Sequence, residues 1–476
     1  MKNALIYCFT IVIFSIGIYA IVNAGSRLMP VDEQPASSAA MPQNQQNHSA
    51  SKGPLENLVQ PLSLLLLQII VITAVARGLG MLFAKMGQPA VVGEMLAGIL
   101  LGPSLLGWLL PQAESFLFPT SSMGTLQLLS QVGVILFMFI VGMELDLESM
   151  RHQAHSAMFI SHAGILAPFI LGAGLSLAIF PFVGSANLPF QAFALFMGVA
   201  MSITAFPVLA RIIEQRGLSG SDLGNLAIAC AAVDDVTAWC LLALVLSISQ
   251  GTGLIASALT FGLAVSFTLV MLLVARPWLR RMIENKNHAP SGRKGFVANI
   301  LIFAFASALF TEVIGIHALF GAFLAGVVLP SPKILRVSIS EHLETFTAFL
   351  LPLFFAFTGL RTQIGLLNDW QDWLLCATII AVAIAGKLGG TSLAARFTGL
   401  GWYQSISIGA LMNTRGLMEL IVINIGYDLG ILSAQVFVMM VLMALTTTLM
   451  TGPILSLLER WESHQALQIP ENKITA

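Results

Sequence analysis

The stretch "GQPAVVGEMLAGILLGPS" at residues 87–104 has a second copy, "GIHALFGAFLAGVVLPS", at residues 315–331. The copies share glycines and small apolar residues at the same spacing, at Gly87/Gly315, Gly93/Gly321, Leu96/Leu324, Ala97/Ala325 and Gly98/Gly326. The similarity continues beyond each copy and pairs 134–147 with 351–364 and 198–206 with 409–417. An internal repeat of this length predicts a fold that consists of two related halves.

The composition places these halves in a membrane. Of the 476 residues, 57% are hydrophobic and 9% are charged, whereas about 25% are charged in an average soluble domain. Apolar stretches long enough for a spanning helix recur along most of the chain. We therefore expect an all-α polytopic membrane protein. The net charge of −1 gives no indication of nucleic acid, the four cysteines lack the spacing of a metal site, and we expect no cofactor.

Thirteen apolar segments follow residue 56. They lie near 57–83, 89–110, 123–143, 155–181, 190–213, 222–248, 253–276, 296–315, 317–330, 343–361, 373–397, 403–426 and 431–457. In the repeat the first six correspond to the last six, and the seventh is left over as a linker helix. Because the offset of seven crossings is odd, the two six-helix halves must enter the membrane with opposite orientations. Inverted repeats of this kind are typical of secondary transporters.

The sequence also predicts how the chain is divided. Met1–Ala24 has the pattern of a signal peptide or of an uncleaved anchor helix. Residues 25–56 are rich in Ser, Gln, Asn and Pro, which predicts a disordered linker. The remaining regions are a transmembrane domain at 57–458, with repeats at 57–248 and 296–457 and the linker helix at 253–276, and a short tail at 459–476.

Lysine and arginine residues cluster in alternate connections between the segments. The basic connections carry Lys85, Arg151, Arg211, Arg216, Arg280, Arg281, Lys286, Arg293, Lys294, Lys333, Arg336 and Arg396. The other connections carry almost none, apart from Arg361 at a helix end. Because positive charge marks the cytoplasmic side, we expect a multi-pass protein of the cell (inner) membrane, with the linker 25–56 outside the cytoplasm and the C-terminus inside.

Segments 5 and 12 are equivalent in the repeat, and both contain residues that interrupt a spanning helix. Segment 5 contains "SITAFP", in which Pro207 lacks a backbone donor. Segment 12 contains "MNTRGLMEL", with Asn413, Thr414, Arg415, Gly416 and Glu419. Paired interruptions predict two unwound helices that cross near a substrate site, with the polar residues of segment 12 as support. Two alternatives stay open: Pro207 only kinks its helix, and Arg415 pairs with Glu419 in a purely structural role.

Segment 6 carries two adjacent carboxylates, Asp234 and Asp235, in "CAAVDDVTAW". Neighbouring residues on an α-helix point about 100° apart, so the two side chains should meet different partners. Each charge costs about 2.5–3.5 kcal/mol at the centre of a spanning helix, and such residues are usually functional. Lys387, in "AIAGKLGGTSLAAR", is the one lysine deep within a segment, and an aspartate facing it would keep it charged. The pattern predicts a site for a proton or a desolvated cation; the alternative is a buried charge that only pairs helices.

Taken together, these stretches resemble the monovalent cation/proton antiporter superfamily, and within it the Kef-type, NapA-type and plant CHX exchangers. The resemblance rests on "QPAVVGEMLAGILLGPSLLG", "SITAFPVLARI", "AAVDDVTAW", "AGKLGG" and "NTRGLMELIVINIG", and it covers about residues 57–457. It implies a homodimeric transporter with an NhaA/NapA-like fold in the lipid bilayer. In such a transporter a core domain carries the ion past a dimerisation domain by an elevator-like movement.

The resemblance also implies roles for individual residues. Asp235 looks like the carboxylate that binds either the monovalent cation or the proton. Asp234 looks like its neighbour that pairs with Lys387, and Thr204 looks like a residue of the first unwound crossing, close to the ion. The double aspartate resembles the electrogenic members of the superfamily.

The function that we expect is exchange of Na⁺ or K⁺ for protons by alternating access. The alternatives are a K⁺ efflux system or a symporter of anionic solutes on a similar fold. An intramembrane aspartyl protease is an alternative of a different class, because paired aspartates also serve in those enzymes. Such proteases carry a GxGD-type motif on a second helix, and no GxGD occurs in this sequence.

Overall fold

The computed structural model describes residues 60–144, 154–183, 188–218, 220–249, 253–284, 293–315, 317–329 and 333–467. The predicted signal or anchor helix and the predicted linker lie outside these ranges, as does the end of the predicted tail. Within them, every regular element is a helix, as the composition predicts.

The helices follow the predicted segments in order. The first half contains α1 Pro61–Lys85, α2 Ala90–Leu101, α3 Leu106–Leu109, α4 Pro111–Leu117, α5 Thr120–Glu144, α6 Ala154–Val183, α7 Phe190–Ser202, α8 Phe206–Gln215 and α9 Asp222–Ser249. The segment predicted as the linker helix contains α10 Gly253–Val270 and a π-helical turn Met271–Ala275, and α11 Arg276–Glu284 follows it. The second half contains α12 Arg293–Val313, α13 Ala318–Val327, α14 Lys333–Leu360, a 3-10 turn Ile364–Leu366, α15 Trp370–Ile384, a π-helical turn Ala385–Gly389, α16 Gly390–Phe397, α17 Trp402–Met412, α18 Leu417–Asp428 and α19 Ala434–Leu467.

Many of the helices in the described part of the chain can cross a membrane. Nine are long and apolar enough, and the pair α17–α18, which is bent by 42°, makes a tenth. Three shorter apolar helices, Phe190–Ser202, Val297–Val313 and Ala318–Val327, coincide with further predicted segments. The prediction of a multi-pass helical membrane protein is confirmed. The count of thirteen crossings and the opposite orientation of the two halves stay predictions.

The last helix is longer than the sequence predicts. It continues past the expected end of the transmembrane domain at residue 458 and ends at Leu467. Glu459, Arg460 and Glu462 lie on the exposed surface of this extension. Straight-chain charged residues of this kind are good helix formers and stay solvated there, so the helix continues where the apolar pattern stops.

The helices pack in two groups. In one group α5 lies against α13 and α14, α2 lies against α1 and α14, and α12 lies against α13. In the other group α6 lies against α7, α9 and α16, and α19 lies against α15, α17 and α18. All the site residues predicted from the sequence belong to the second group.

Glycine contacts in the first group follow the sequence repeat. A Cβ atom on Gly98 of α2 would lie 2.1 Å from the carbonyl oxygen of Ala356 in α14. A Cβ atom on Gly326 of α13 would lie 2.2 Å from the carbonyl oxygen of Phe139 in α5. The two glycines are equivalent in the repeat, and so are Phe139 and Ala356. Each half therefore supplies one glycine-bearing helix and one partner helix, and small residues let the backbones approach closely.

Both predicted helix interruptions are present. The helix of segment 5 stops at Ser202 and restarts at Phe206, and the helix of segment 12 stops at Met412 and restarts at Leu417. Pro207 stands in the first turn of α8, where its missing N–H has no intrahelical partner to lose. The alternative that Pro207 kinks the interior of a helix is therefore wrong.

The two interruptions contact each other. The backbone N–H of Ala205 donates to the carbonyl of Thr414 at 3.0 Å. Backbone groups at a helix break need partners because a buried unpaired group is costly. Here the first break supplies the donor and the second break the acceptor of this bond, so the two breaks lie against each other within the second group of helices.

Candidate functional site

The carboxylate of Asp234, within α9, joins four elements beside the crossing of the two broken helices. Lys387 Nζ donates to its Oδ2 at 2.6 Å, and Ser161 Oγ of α6 donates to its Oδ1 at 2.5 Å. Thr204 Oγ1, in the first break, lies 2.7 Å from Oδ2 and 2.9 Å from the carbonyl oxygen of Met412. The side chains of this cluster are fully buried. Asp234 is thus a charged group whose partners the protein itself supplies.

Lys387 lies on the π-helical turn Ala385–Gly389 between α15 and α16. Turns of this kind are rare and often mark functional sites. The lysine Nζ also donates to the carbonyl oxygen of Ser202 at 2.6 Å. Because Ser202 ends α7, the ammonium lies at the negative end of that helix dipole. Lys387 therefore connects the ion pair with Asp234 to the first helix break.

Asp235 is as deeply buried as its neighbour, but its surroundings differ. Neither of its carboxylate oxygens has a hydrogen-bond partner among the described residues. A buried carboxylate without partners is unfavourable unless it takes up a proton or pairs with a cation. The adjacent aspartates therefore differ: the side chains of the protein hold the carboxylate of Asp234, whereas neither oxygen of Asp235 has a hydrogen-bond partner among the described residues.

The polar residues of segment 12 lie around the second break. Asn413 Oδ1 is a buried oxygen without a hydrogen-bond partner in the described part of the chain. The Thr414 carbonyl accepts the hydrogen bond from Ala205 described above, and Thr414 Oγ1 lies 3.3 Å from Thr451 Oγ1 of α19. Asn413 therefore has an unused oxygen at the break itself, while Thr414 supports the crossing.

Arg415 and Glu419 form a fully buried ion pair, with Nη1 3.3 Å from Oε1. Arg415 Nη1 also donates to the carbonyl oxygen of Ala200 at 3.0 Å, and its Nη2 donates to that of Met201. These carbonyls belong to the last turn of α7, which has no intrahelical donors left for them. The pairing that the sequence left open as an alternative is present, and Arg415 also ties the second break to the end of α7.

Sequence reasoning missed two residues of this region. Ser161 contacts Asp234, as described, and Thr448 of α19 lies 3.2 Å from the backbone nitrogen of Arg415 and donates to its carbonyl oxygen at 2.6 Å. Neither residue stands in a motif, and single hydroxyl residues are ordinary in spanning helices. The one feature of the sequence that could indicate them is a polar side chain in an otherwise apolar helix, on the face that packs against the site.

Two broken helices cross in this multi-pass helical protein, and a pair of buried aspartates and a lysine lie beside the crossing. These features define the class of secondary transporters. The family model described as "Sodium/hydrogen exchanger, transmembrane" matches residues 70–461. The chain belongs to this family of cation/proton antiporters. The resemblance predicted from the sequence is confirmed, and so is the prediction that the protein is a transporter and not an enzyme.

Several curated proteins are similar to this chain. The Na(+)/H(+) antiporter NhaS4 of Synechocystis sp. is 42% identical over 83% of this chain and 96% of its own length. Cation/H(+) antiporter 17 of Arabidopsis thaliana is 40% identical over 85% of this chain, and K(+)/H(+) antiporter 1 of Saccharomyces cerevisiae is 33% identical over 84%. The chain spans about half the length of these two relatives, 49% and 47% respectively.

A solved structure shares the fold. The sodium proton antiporter MjNhaP1 from Methanocaldococcus jannaschii, at pH 8, superposes with a TM-score of 0.61, covering 86% of this chain and 99% of that chain. The sequence identity is 14%, so this likeness concerns the fold alone.

Proposed function

We propose that this protein exchanges Na⁺ or K⁺ for protons across the cell membrane by alternating access. The observation that carries the proposal is Asp235, a fully buried carboxylate whose two oxygens have no hydrogen-bond partner among the described residues. Such a group is stable when it holds a proton or a dehydrated cation, and both cannot occupy it together. Competition at one carboxylate is what couples the two ion flows.

Asp234 and Lys387 supply the second proton of the cycle. Their ion pair, at 2.6 Å, is intact while Asp235 is protonated. When the cation binds Asp235, the ion pair opens and Lys387 releases its proton. Two protons then exchange for one cation, and the net charge that crosses couples the cycle to the membrane potential at about 2.3 kcal/mol per 100 mV. In the alternative, Lys387 only braces Asp234, and Asp234 itself carries the second proton.

Alternating access follows from the repeat. The equivalent glycine contacts of Gly98 and Gly326 support two structurally related halves, and the odd number of crossings between them makes these halves inverted. The helix group that carries the site moves past the group formed by α1, α2, α5 and α12–α14, which provides the contact between the two subunits of a homodimer. The asymmetry of lysine and arginine supports a cytoplasmic C-terminus in each subunit.

The proposal is tested with purified protein in liposomes. A proton gradient is imposed, and a pH-sensitive dye follows proton movement after addition of NaCl, KCl or choline chloride. We expect exchange with at least one of the two metal cations and none with choline. Asp235→Asn should abolish it, because the amide neither titrates nor neutralises a cation.

The matched control is Asp222→Asn, which removes an exposed carboxylate from the first turn of the same helix. It should exchange at the wild-type rate. Near-normal exchange by Asp235→Asn would refute the assignment of the ion site, and a wild-type protein that moves protons with neither cation would refute the function.

A further inference from the structure

The two oxygens of Asp234 are held in different ways. Oδ2 faces Lys387 and Thr204, both within 2.7 Å. Among the described residues, Oδ1 accepts one hydrogen bond, which the hydroxyl of Ser161 donates at 2.5 Å. Ser161 is fully buried on α6, and it has no place in the motifs that mark the site. Its hydroxyl therefore fixes the side of the carboxylate that faces away from the lysine.

We propose that Ser161 is a positioning residue of the exchange cycle that acts through Asp234. Its hydrogen bond orients the carboxylate so that Oδ2 points at Lys387, and it stabilises the negative charge of Asp234 when Lys387 is released. This proposal rests on the proposed function, in which cation binding opens the pair between Asp234 and Lys387.

Ser161 matters most for Asp234 after the ion pair with Lys387 has opened. Asp234 is then a buried carboxylate whose hydrogen-bond donors are the hydroxyls of Ser161 and Thr204. A hydrogen bond to a charged group is about twice as strong as a neutral one, and its loss in a buried site weakens an equilibrium by roughly tenfold or more. Without Ser161 the open state loses more stabilisation than the closed state, in which Lys387 still neutralises the charge. Cation binding, which must open the ion pair, then becomes less favourable.

The variant Ser161→Ala tests this inference in liposomes. We expect the apparent KM for the transported cation to rise about tenfold, with kcat within about twofold of wild type, because the step that is weakened precedes translocation. Ser161→Thr keeps the hydroxyl and should restore the KM to near the wild-type value. A loss of kcat in Ser161→Ala at unchanged KM would overturn the proposal.

Ser176→Ala is the matched control. Ser176 is a buried serine on the same helix, and its hydroxyl donates to the carbonyl oxygen of Gly172 at 3.0 Å. Removal of this hydrogen bond perturbs α6 without reaching Asp234, so the KM should stay at the wild-type value. An equal rise of KM in both serine variants would show that only the packing of α6 matters and would overturn the proposal.

A measurement of binding separates action through Asp234 from a direct effect on the cation. The detergent-purified protein is titrated with NaCl or KCl against choline chloride, and the dissociation constant is taken from cation-dependent thermal stabilisation, which needs no turnover. Ser161→Ala should raise the constant about tenfold in the wild-type background and leave it unchanged in the Asp234→Asn background. A tenfold rise in both backgrounds would show that Ser161 does not act through Asp234.

The outcomes also keep this proposal apart from the proposed function. A wild-type protein that exchanges neither cation for protons contradicts the proposed function. A wild-type protein that exchanges normally, with a KM that Ser161→Ala leaves unchanged, contradicts only the role of Ser161.

Discussion

Asp234 and Asp235 are neighbours in the chain but have opposite surroundings. One carboxylate receives Lys387, Ser161 and Thr204, and the other has no hydrogen-bond partner within the described residues. The angle of about 100° between successive helix positions is enough to separate them. Charges in apolar segments predicted that Lys387 faces an aspartate, and the family resemblance implied that this aspartate is Asp234. The contact with Ser161 could not be predicted, because a single serine in a spanning helix carries no pattern.

At the scale of the residue, a double variant tests which groups carry the second proton. The double variant Asp234→Asn with Lys387→Gln removes both members of the ion pair and leaves Asp235 in place. If it is active, we expect its exchange to be electroneutral, since one proton then moves for each cation. Currents on a solid-supported membrane after a jump in cation concentration measure this directly, and they should disappear in the double variant while dye-detected exchange continues.

Arg396→Gln is the control for the loss of a positive charge. Arg396 lies in the last turn of α16, near the end of the helix that follows Lys387, and stacks on Trp402 at 5.6 Å. Its loss should leave the currents unchanged. Undiminished currents in the double variant would show that neither Asp234 nor Lys387 carries the second proton.

Among the elements, the two broken helices were the most predictable feature. Pro207 and the polar run in segment 12 interrupt an apolar pattern, and their equivalence in the repeat marks them as a pair. The π-helical turn at Lys387 was not predictable, because nothing in "AGKLGG" distinguishes it from an α-helical turn. The hydrogen bonds from Arg415 to α7 were not predictable either, since they join residues more than 200 positions apart in sequence.

The repeated glycine contacts give a prediction about stability. Gly98→Ala and Gly326→Ala each force a methyl group to within 2.2 Å of a backbone oxygen, so the helices must separate. Overpacking of this kind costs about 1–3 kcal/mol, and the two equivalent variants should be destabilised to a similar extent. Thermal unfolding in detergent, followed by the loss of the monodisperse peak in size-exclusion chromatography, measures it.

Gly78→Ala is the matched control for these variants. Gly78 lies within α1, and nothing stands within 4 Å of a Cβ atom there. Because alanine is a better helix former than glycine by up to about 1 kcal/mol, this variant should be as stable as wild type or more so. Wild-type stability in Gly98→Ala and Gly326→Ala would contradict the close approach of the helices.

For the whole molecule, composition and repeat predict a multi-pass helical transporter, and the family match over residues 70–461 confirms the class. The arrangement of the helices in two groups lies beyond such reasoning. Every apolar segment is compatible with lipid, so hydropathy does not predict which helices pack against each other. Small residues such as Gly98 determine which helices pack together, because they allow close contacts. These contacts join segments that are distant in sequence, so the sequence alone does not reveal them.

The central claim is that a cation and protons compete for Asp235, and proton release on cation binding measures this most directly. Detergent-purified protein is kept in a lightly buffered solution acidic enough to protonate the site, and an indicator dye follows the pH as NaCl or KCl is added, with choline chloride as the baseline. The account predicts that the wild-type protein releases two protons for each cation bound and that Asp235→Asn releases none above the baseline. Cation binding by the wild-type protein without proton release, or equal release by Asp235→Asn, would contradict it.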